Sequence, residues 1–108
     1  MNVRFHPDAE REIEEAVAWY DGLSQRLGDD FLKELEQALE RIIKFPEAWA
    51  IFSTNTRRCR LQKFPYGIVY RLVSDDIQVI AVMHLHRKPD YWTERVEADA
   101  PSNGGQNG

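Results

Sequence analysis

The stretch from Thr56 to Arg95 constrains the fold most, because it reads as three successive short strands, two by alternation and one as a continuous apolar run. Cys59, Leu61 and Phe64 are interleaved with Arg58, Arg60 and Lys63, the pattern of a strand with one wet face. Ile68, Tyr70 and Leu72 alternate with Val69, Arg71 and Val73 in the second run. The third, Ile77 to His86, is the longest apolar run and is rich in β-branched residues. That composition predicts a central strand covered on both faces. Phe64-Pro65-Tyr66-Gly67 and Ser74-Asp75-Asp76 supply the turns, so the three strands form a meander.

Everything upstream is suited to covering such a sheet. Val3 and Phe5 share one face of a short strand over Asn2 to Phe5. Pro7 then sits where a helix tolerates it, with Asp8 and Glu10 favourable for the positive end of the helix. Ala9, Ile13, Ala16, Val17 and Tyr20 recur at helical spacing, and Glu12, Glu14 and Glu15 are assigned to the solvated side. Gly22 is the predicted stop, and Ser24 the predicted cap of a second helix. The stripe of that helix is Leu27, Phe31, Leu35, Ala38, Leu39 and Ile42, and Phe45-Pro46 ends it. So short a connection makes the helices antiparallel. The predicted fold is α+β, a two-layer β-α-α-β-β-β with the helical hairpin on a small, mostly antiparallel sheet. Trp49, Ile51 and Phe52 make the linker from Pro46 to Asn55 too apolar for a free loop. One domain over residues 1–95 and a disordered tail over 96–108 complete the expected organisation.

A chain of 108 residues can build this core without staples, and its single cysteine, Cys59, excludes an internal disulfide. MNVRFHPDAE lacks the apolar centre of a signal peptide, and no apolar run approaches the ~20 residues of a membrane helix. A cytoplasmic protein without membrane contact is expected. The net charge of −4 is unevenly distributed. Residues 1–56 hold 6 Lys/Arg against 12 Asp/Glu, whereas residues 57–95 hold 8 against 4. Overall acidity opposes bulk nucleic-acid binding, while the basic sheet end still permits a phosphate-bearing partner.

The chemistry-bearing residues gather in that basic half. Period two puts Arg58 and Arg60 on one strand face and His84 and His86 on another. Arg87 closes the last strand, and Tyr91 and Trp92 follow. Arginines with Tyr and Trp can grip a phosphate backbone and stack a base, and the same set composes protein–protein hot spots. The histidines suit proton transfer, or form a plain hydrogen-bonded pair. A metal would need a third ligand from His6 or an acid, and none is marked by spacing, so no metal or cofactor is expected. Cys59 reads as a core-facing strand residue.

FPYGIVYR, an apolar strand ending HLHR, and then PDYW and Arg95 resemble the RelE/ParE superfamily of bacterial toxins, most closely its ParE-like branch. HPDAEREIEEAVAWY and the second helix fit the same family's hairpin. The resemblance implies the toxin of a type II toxin–antitoxin system, with roles in plasmid stabilisation and growth inhibition, neutralised by a cognate antitoxin protein. ParE-like members poison DNA gyrase by binding, which would make Arg58, Arg60, Arg87, Tyr91 and Trp92 a target- or antitoxin-binding surface. RelE-like members cut mRNA on the ribosome. In that alternative Arg58, Arg60 and Arg87 would stabilise phosphate charge, and His84, His86 or Tyr91 would move protons. Gly67 stands where ribonuclease members tend to carry a further arginine, which favours the gyrase reading. A third implied possibility is a member that has lost toxicity. An antitoxin is also expected to bury some of Trp19, Trp49, Phe52 and Trp92.

Overall fold

His6 starts the first helix by turning its side chain back on the chain: its Nδ1 accepts from the Asp8 N–H at 3.0 Å, and Pro7 occupies the first helical position. The chain is described here by a computed structural model covering residues 2–53, 55–88 and 91–98. Strand β1 (Val3–Phe5) leads into α1 (Pro7–Leu23) and α2 (Gln25–Lys44). Strands β2 (Ile51–Ser53), β3 (Thr56–Arg60), β4 (Tyr66–Val73) and β5 (Asp76–His84) follow, and α3 (Thr93–Ala98) closes the described chain. The strand order is β1-β5-β4-β3-β2, with β1 parallel to β5 and the other pairs antiparallel. The predicted α+β architecture holds, and β5 is flanked on both edges as a central strand should be.

Gly22 does not stop α1. It lies inside the last turn, and Ser24 breaks the helix by adopting an extended backbone (φ −171°, ψ 131°). The Ser24 hydroxyl makes no capping hydrogen bond to α2. One extended residue is therefore the whole connection between the antiparallel helices. The predicted Ser74-Asp75-Asp76 turn is a two-residue hairpin loop between the paired Val73 and Asp76, with Ser74 at φ 56°.

Two cores lie on opposite faces of the sheet. On one face, Ala9, Ala16, Phe31, Leu35, Ala38 and Ile42 of the hairpin pack on Cys59, Ile68, Tyr70, Ile77, Val79 and Val82. Tyr20, Phe31, Phe64 and Tyr66 join at ring separations of 4.8–6.2 Å. On the other face, Trp92 and Val96 cover Val69, Ile80, Ala81 and Met83, with Phe52 at the margin. Neither β2 nor α3 is predicted from the sequence. The domain boundary expected after Arg95 falls inside α3, because Val96 is buried. Pro89, Asp90 and the remainder of the tail, 99–108, lie outside the described residues.

Two buried carboxylates hold this arrangement. Glu34 of α2 accepts from the Gln62 and Lys63 N–H groups at 2.5 and 2.7 Å, fixing the loop between β3 and β4. Glu12, assigned to the solvated side from its neighbours, is 6% exposed and points inward. It accepts from the Val82 N–H at 2.9 Å, from Tyr91 Oη at 2.8 Å, and from both Arg95 terminal nitrogens at 3.0 and 2.9 Å. Arg95 also donates to the Ile80 carbonyl at 3.1 Å. β1 pairs with β5 only as far as Val79. Beyond that point the Glu12–Arg95 pair satisfies β5 backbone groups and ties the α3 layer to the hairpin layer.

Candidate functional site

A single β-bulge decides which candidate residues meet. Val69 pairs with Ala81 and Tyr70 with Val79, which leaves Ile80 as an extra residue in β5. Before the bulge, Ile77 and Val79 face the helical hairpin; after it, Val82 does so instead. The parity of the strand has shifted by one. His84, in step with Val82 and paired with Tyr66, therefore lies on the hairpin face. Without the bulge it would project on the face that carries Arg58 and Arg60.

Arg58 and Arg60 do share a face, opposite the core-facing Cys59. Arg58 pairs with Val69 and lies over the Phe52 ring, its guanidinium carbon 4.2 Å from the centroid. Burial, and then the charge of Arg60, push its pKa below the ordinary arginine value. Arg58 and Arg60 form no ion pair among the described residues. With Trp49, Ala50, Ile51 and Phe52 they line a shallow groove of about 390 Å³ beside the edge strand β2. Gly67 is part of this design: a Cβ there would come within 3.1–3.2 Å of the Arg58 stem.

His84, Arg87 and Tyr91 belong to a different place. Strand β5 ends at His84, so His86 lies in the following turn rather than on the strand. The rings still meet at 5.1 Å, and the His86 N–H donates to His84 Nδ1 at 3.1 Å. Arg87 stacks on Tyr91 at 3.7 Å and lies 3.9 Å from Glu12. Tyr91 is tied to Glu12, and burial together with that hydrogen bond raises its phenol pKa far above the ordinary value. Arg95 is held protonated as well: burial opposes its charge most strongly, but Glu12, together with Tyr91 and Asp8, reverses this and raises its pKa.

The predicted set thus divides. Arg58 and Arg60 occupy the α3 face, and His84 and Arg87 border a cleft on the hairpin side, so no single phosphate-sized space is surrounded by all of them. Trp92, expected as a surface anchor, is fully buried and fills the core under α3. Among the other tryptophans, Trp49 is half-buried against the hairpin core, while Trp19 is 66% exposed. Glu12 and Arg95 were missed as a pair. The available signal was the spacing Ala9, Glu12, Ala16, which places Glu12 within the buried stripe of α1. No group of three or more His, Cys, Asp or Glu side chains suited to a metal occurs among the described residues.

A helical hairpin on one face of a five-stranded, mostly antiparallel sheet is a fold shared with solved ParE and RelE toxins. The chain matches the family model described as ParE toxin of type II toxin-antitoxin system, parDE, over residues 3–89, and it belongs to that family. A chain of the chromosomal ParDE TA system from P. aeruginosa superimposes with a TM-score of 0.70 at 12% identity, covering 80% of this chain and 97% of that one. The isolated E. coli RelE toxin gives a TM-score of 0.51 at 20% identity, covering 90% and 96% respectively. No curated protein sequence matches the chain. No helix among the described residues is long and apolar enough to cross a membrane.

Proposed function

We propose that this ParE-family toxin acts by binding and poisoning DNA gyrase, without a chemical step, and is neutralised by a cognate antitoxin. The observation that carries the reading is the separation of Arg58 and Arg60 from His84, which leaves Arg87 as the arginine lining the His84 cleft. A ribonuclease needs charge-stabilising arginines and a proton-transfer group around one phosphate. Here the bulge at Ile80 sends His84 to the hairpin face, away from Arg58 and Arg60. The Tyr91 phenol is committed to Glu12. What remains on the α3 face is a groove of two arginines without ion pairs among the described residues, flanked by Trp49, Phe52 and the 60% exposed Ile51, the composition of a docking surface. We assign gyrase contact to this groove.

Expression in growing cells tests the proposal with two readouts, gyrase-trapped DNA breaks and cleavage of ribosome-bound mRNA. The expected result is DNA breakage and replication arrest with intact mRNA, both relieved by the co-expressed antitoxin. Arg58→Ala and Arg60→Ala should each weaken the effect in a graded way, by about 1–2 kcal/mol of binding. Site-specific cleavage of ribosome-bound mRNA, abolished by Arg87→Ala while antitoxin binding persists, would instead establish the RelE-like endonuclease reading. Growth without either lesion would identify a member that has lost toxicity.

A further inference from the structure

A second cleft, of about 270 Å³, lies between α1 and the ends of β4 and β5. Glu12, Glu15 and Trp19 of α1 form one wall, Tyr66 and His84 the other, and Arg87 closes the end. Its buried acceptor, Glu12, is already engaged. Glu12 is taken by Arg95, Tyr91 and the Val82 N–H, and Glu15 is paired with Arg11 at 3.5 Å. Its donors are not. Because His84 Nδ1 accepts from the His86 N–H, the neutral ring carries its proton on Nε2, and that group has no partner among the described residues. The Tyr66 hydroxyl is likewise unpartnered there, and among the described residues the stacked guanidinium of Arg87 makes no hydrogen bond, only its 3.9 Å approach to Glu12. With Glu12 spent, and three donors at its His84–Arg87 end unspent among the described residues, that end of the cleft is complementary to an acceptor, most strongly to an anion.

The rim adds a second requirement. Trp19 and Leu23, one helical turn apart on α1, are 66% and 62% exposed, so an apolar ridge runs directly from the cleft mouth. Exposed Glu10, Glu14 and Asp21 elsewhere on α1 would repel a polyanion such as a nucleic-acid strand, but not one isolated carboxylate. We propose that this cleft is a docking pocket for a single Asp or Glu side chain of a partner polypeptide, carried next to an apolar residue that seats on Trp19 and Leu23. The carboxylate would take the Arg87 guanidinium, His84 Nε2–H and Tyr66 O–H. This face is separate from the Arg58–Arg60 groove, so failure here leaves the gyrase reading standing, and the reverse also holds.

The test uses the full chain in solution, with the backbone and Trp indole N–H signals followed by NMR. The probes are N-acetyl-Leu-Glu-amide, its Leu-Gln counterpart and a short single-stranded oligonucleotide. The Leu-Glu probe should shift the signals of Trp19, Leu23, His84 and Arg87, and the Leu-Gln probe should bind roughly tenfold more weakly, as expected for losing a charge-assisted contact. Arg87→Gln should weaken Leu-Glu binding by a similar factor. Trp19→Ala should weaken both peptides, and Arg58→Gln neither. Arg87 and Trp19 are exposed, so these variants keep the fold, which unchanged melting temperatures would verify. Equal binding of the two peptides, no shift at Trp19, or a larger response to the oligonucleotide would overturn the proposal.

Discussion

Glu12→Ala lowers the stability of this protein by about 3–5 kcal/mol, the loss typical of removing one partner from a buried ion pair. The substitution strands the Arg95 charge, which is 10% exposed at its side chain, and takes the acceptor from the Val82 N–H and the Tyr91 hydroxyl. It also loosens the tie between α3 and the hairpin. Glu15→Ala is the matched control, three residues away and solvent-exposed, and should stay within about 0.5 kcal/mol of the parent. Urea denaturation of the two variants decides the matter, and equal stabilities would show that the network adds nothing. A pH scan adds a second readout. Tyr91 is favoured in its neutral form in the folded state, so its contribution is complete below the ordinary tyrosine pKa of 10 and is lost as pH rises beyond it. Tyr70, pushed up to about 12 mainly by burial, and donating to the Pro46 carbonyl, adds in the same direction.

Trp92→Ala should cost about 3–5 kcal/mol, the range for emptying a buried large aromatic site. The fully buried indole is the largest side chain between α3 and the sheet, so its loss should also release α3 and expose Val69, Ile80 and Met83. Trp92→Phe should be far milder. Trp92 Nε1 is buried without a hydrogen-bond partner among the described residues, so phenylalanine gives up volume while removing an unsatisfied donor. Thermal melts should therefore rank the Phe variant well above the Ala variant. Toxicity of the folded Phe variant should persist, because a side chain under α3 does not reach a target. Loss of toxicity in a Phe variant of normal stability would return Trp92 to the binding surface.

The elements legible in the sequence were those whose pattern is local. Period-two alternation marked β3, β4 and, with Pro7 behind it, the short β1; a continuous β-branched run marked β5, and the helical stripes marked α1 and α2. Strand β2 lies in an apolar linker without alternation and α3 has only six residues, and each is held by contacts with the sheet rather than by propensity. The pairing of Arg58 with Arg60 followed from alternation alone. The parting of His84 from them did not, because Ile80 looks like any other residue of an apolar strand and only its pairing reveals the bulge. Glu12 was hidden differently. Glu14 and Glu15 beside it are solvated, and charge in such a run ordinarily means a wet face. Its i+3, i+4 relation to Ala9 and Ala16 was the contrary signal.

A toxin that binds without turning over is distinguished from an enzyme by its stoichiometry. Purified protein would be titrated into a fixed amount of gyrase with DNA, and in parallel into programmed ribosomes in large excess. If the proposed function holds, gyrase inhibition rises with added protein and saturates at a fixed ratio of toxin to enzyme, and ribosome-bound mRNA stays intact. Cleavage of many mRNA molecules by each toxin molecule, with gyrase unaffected, would contradict it.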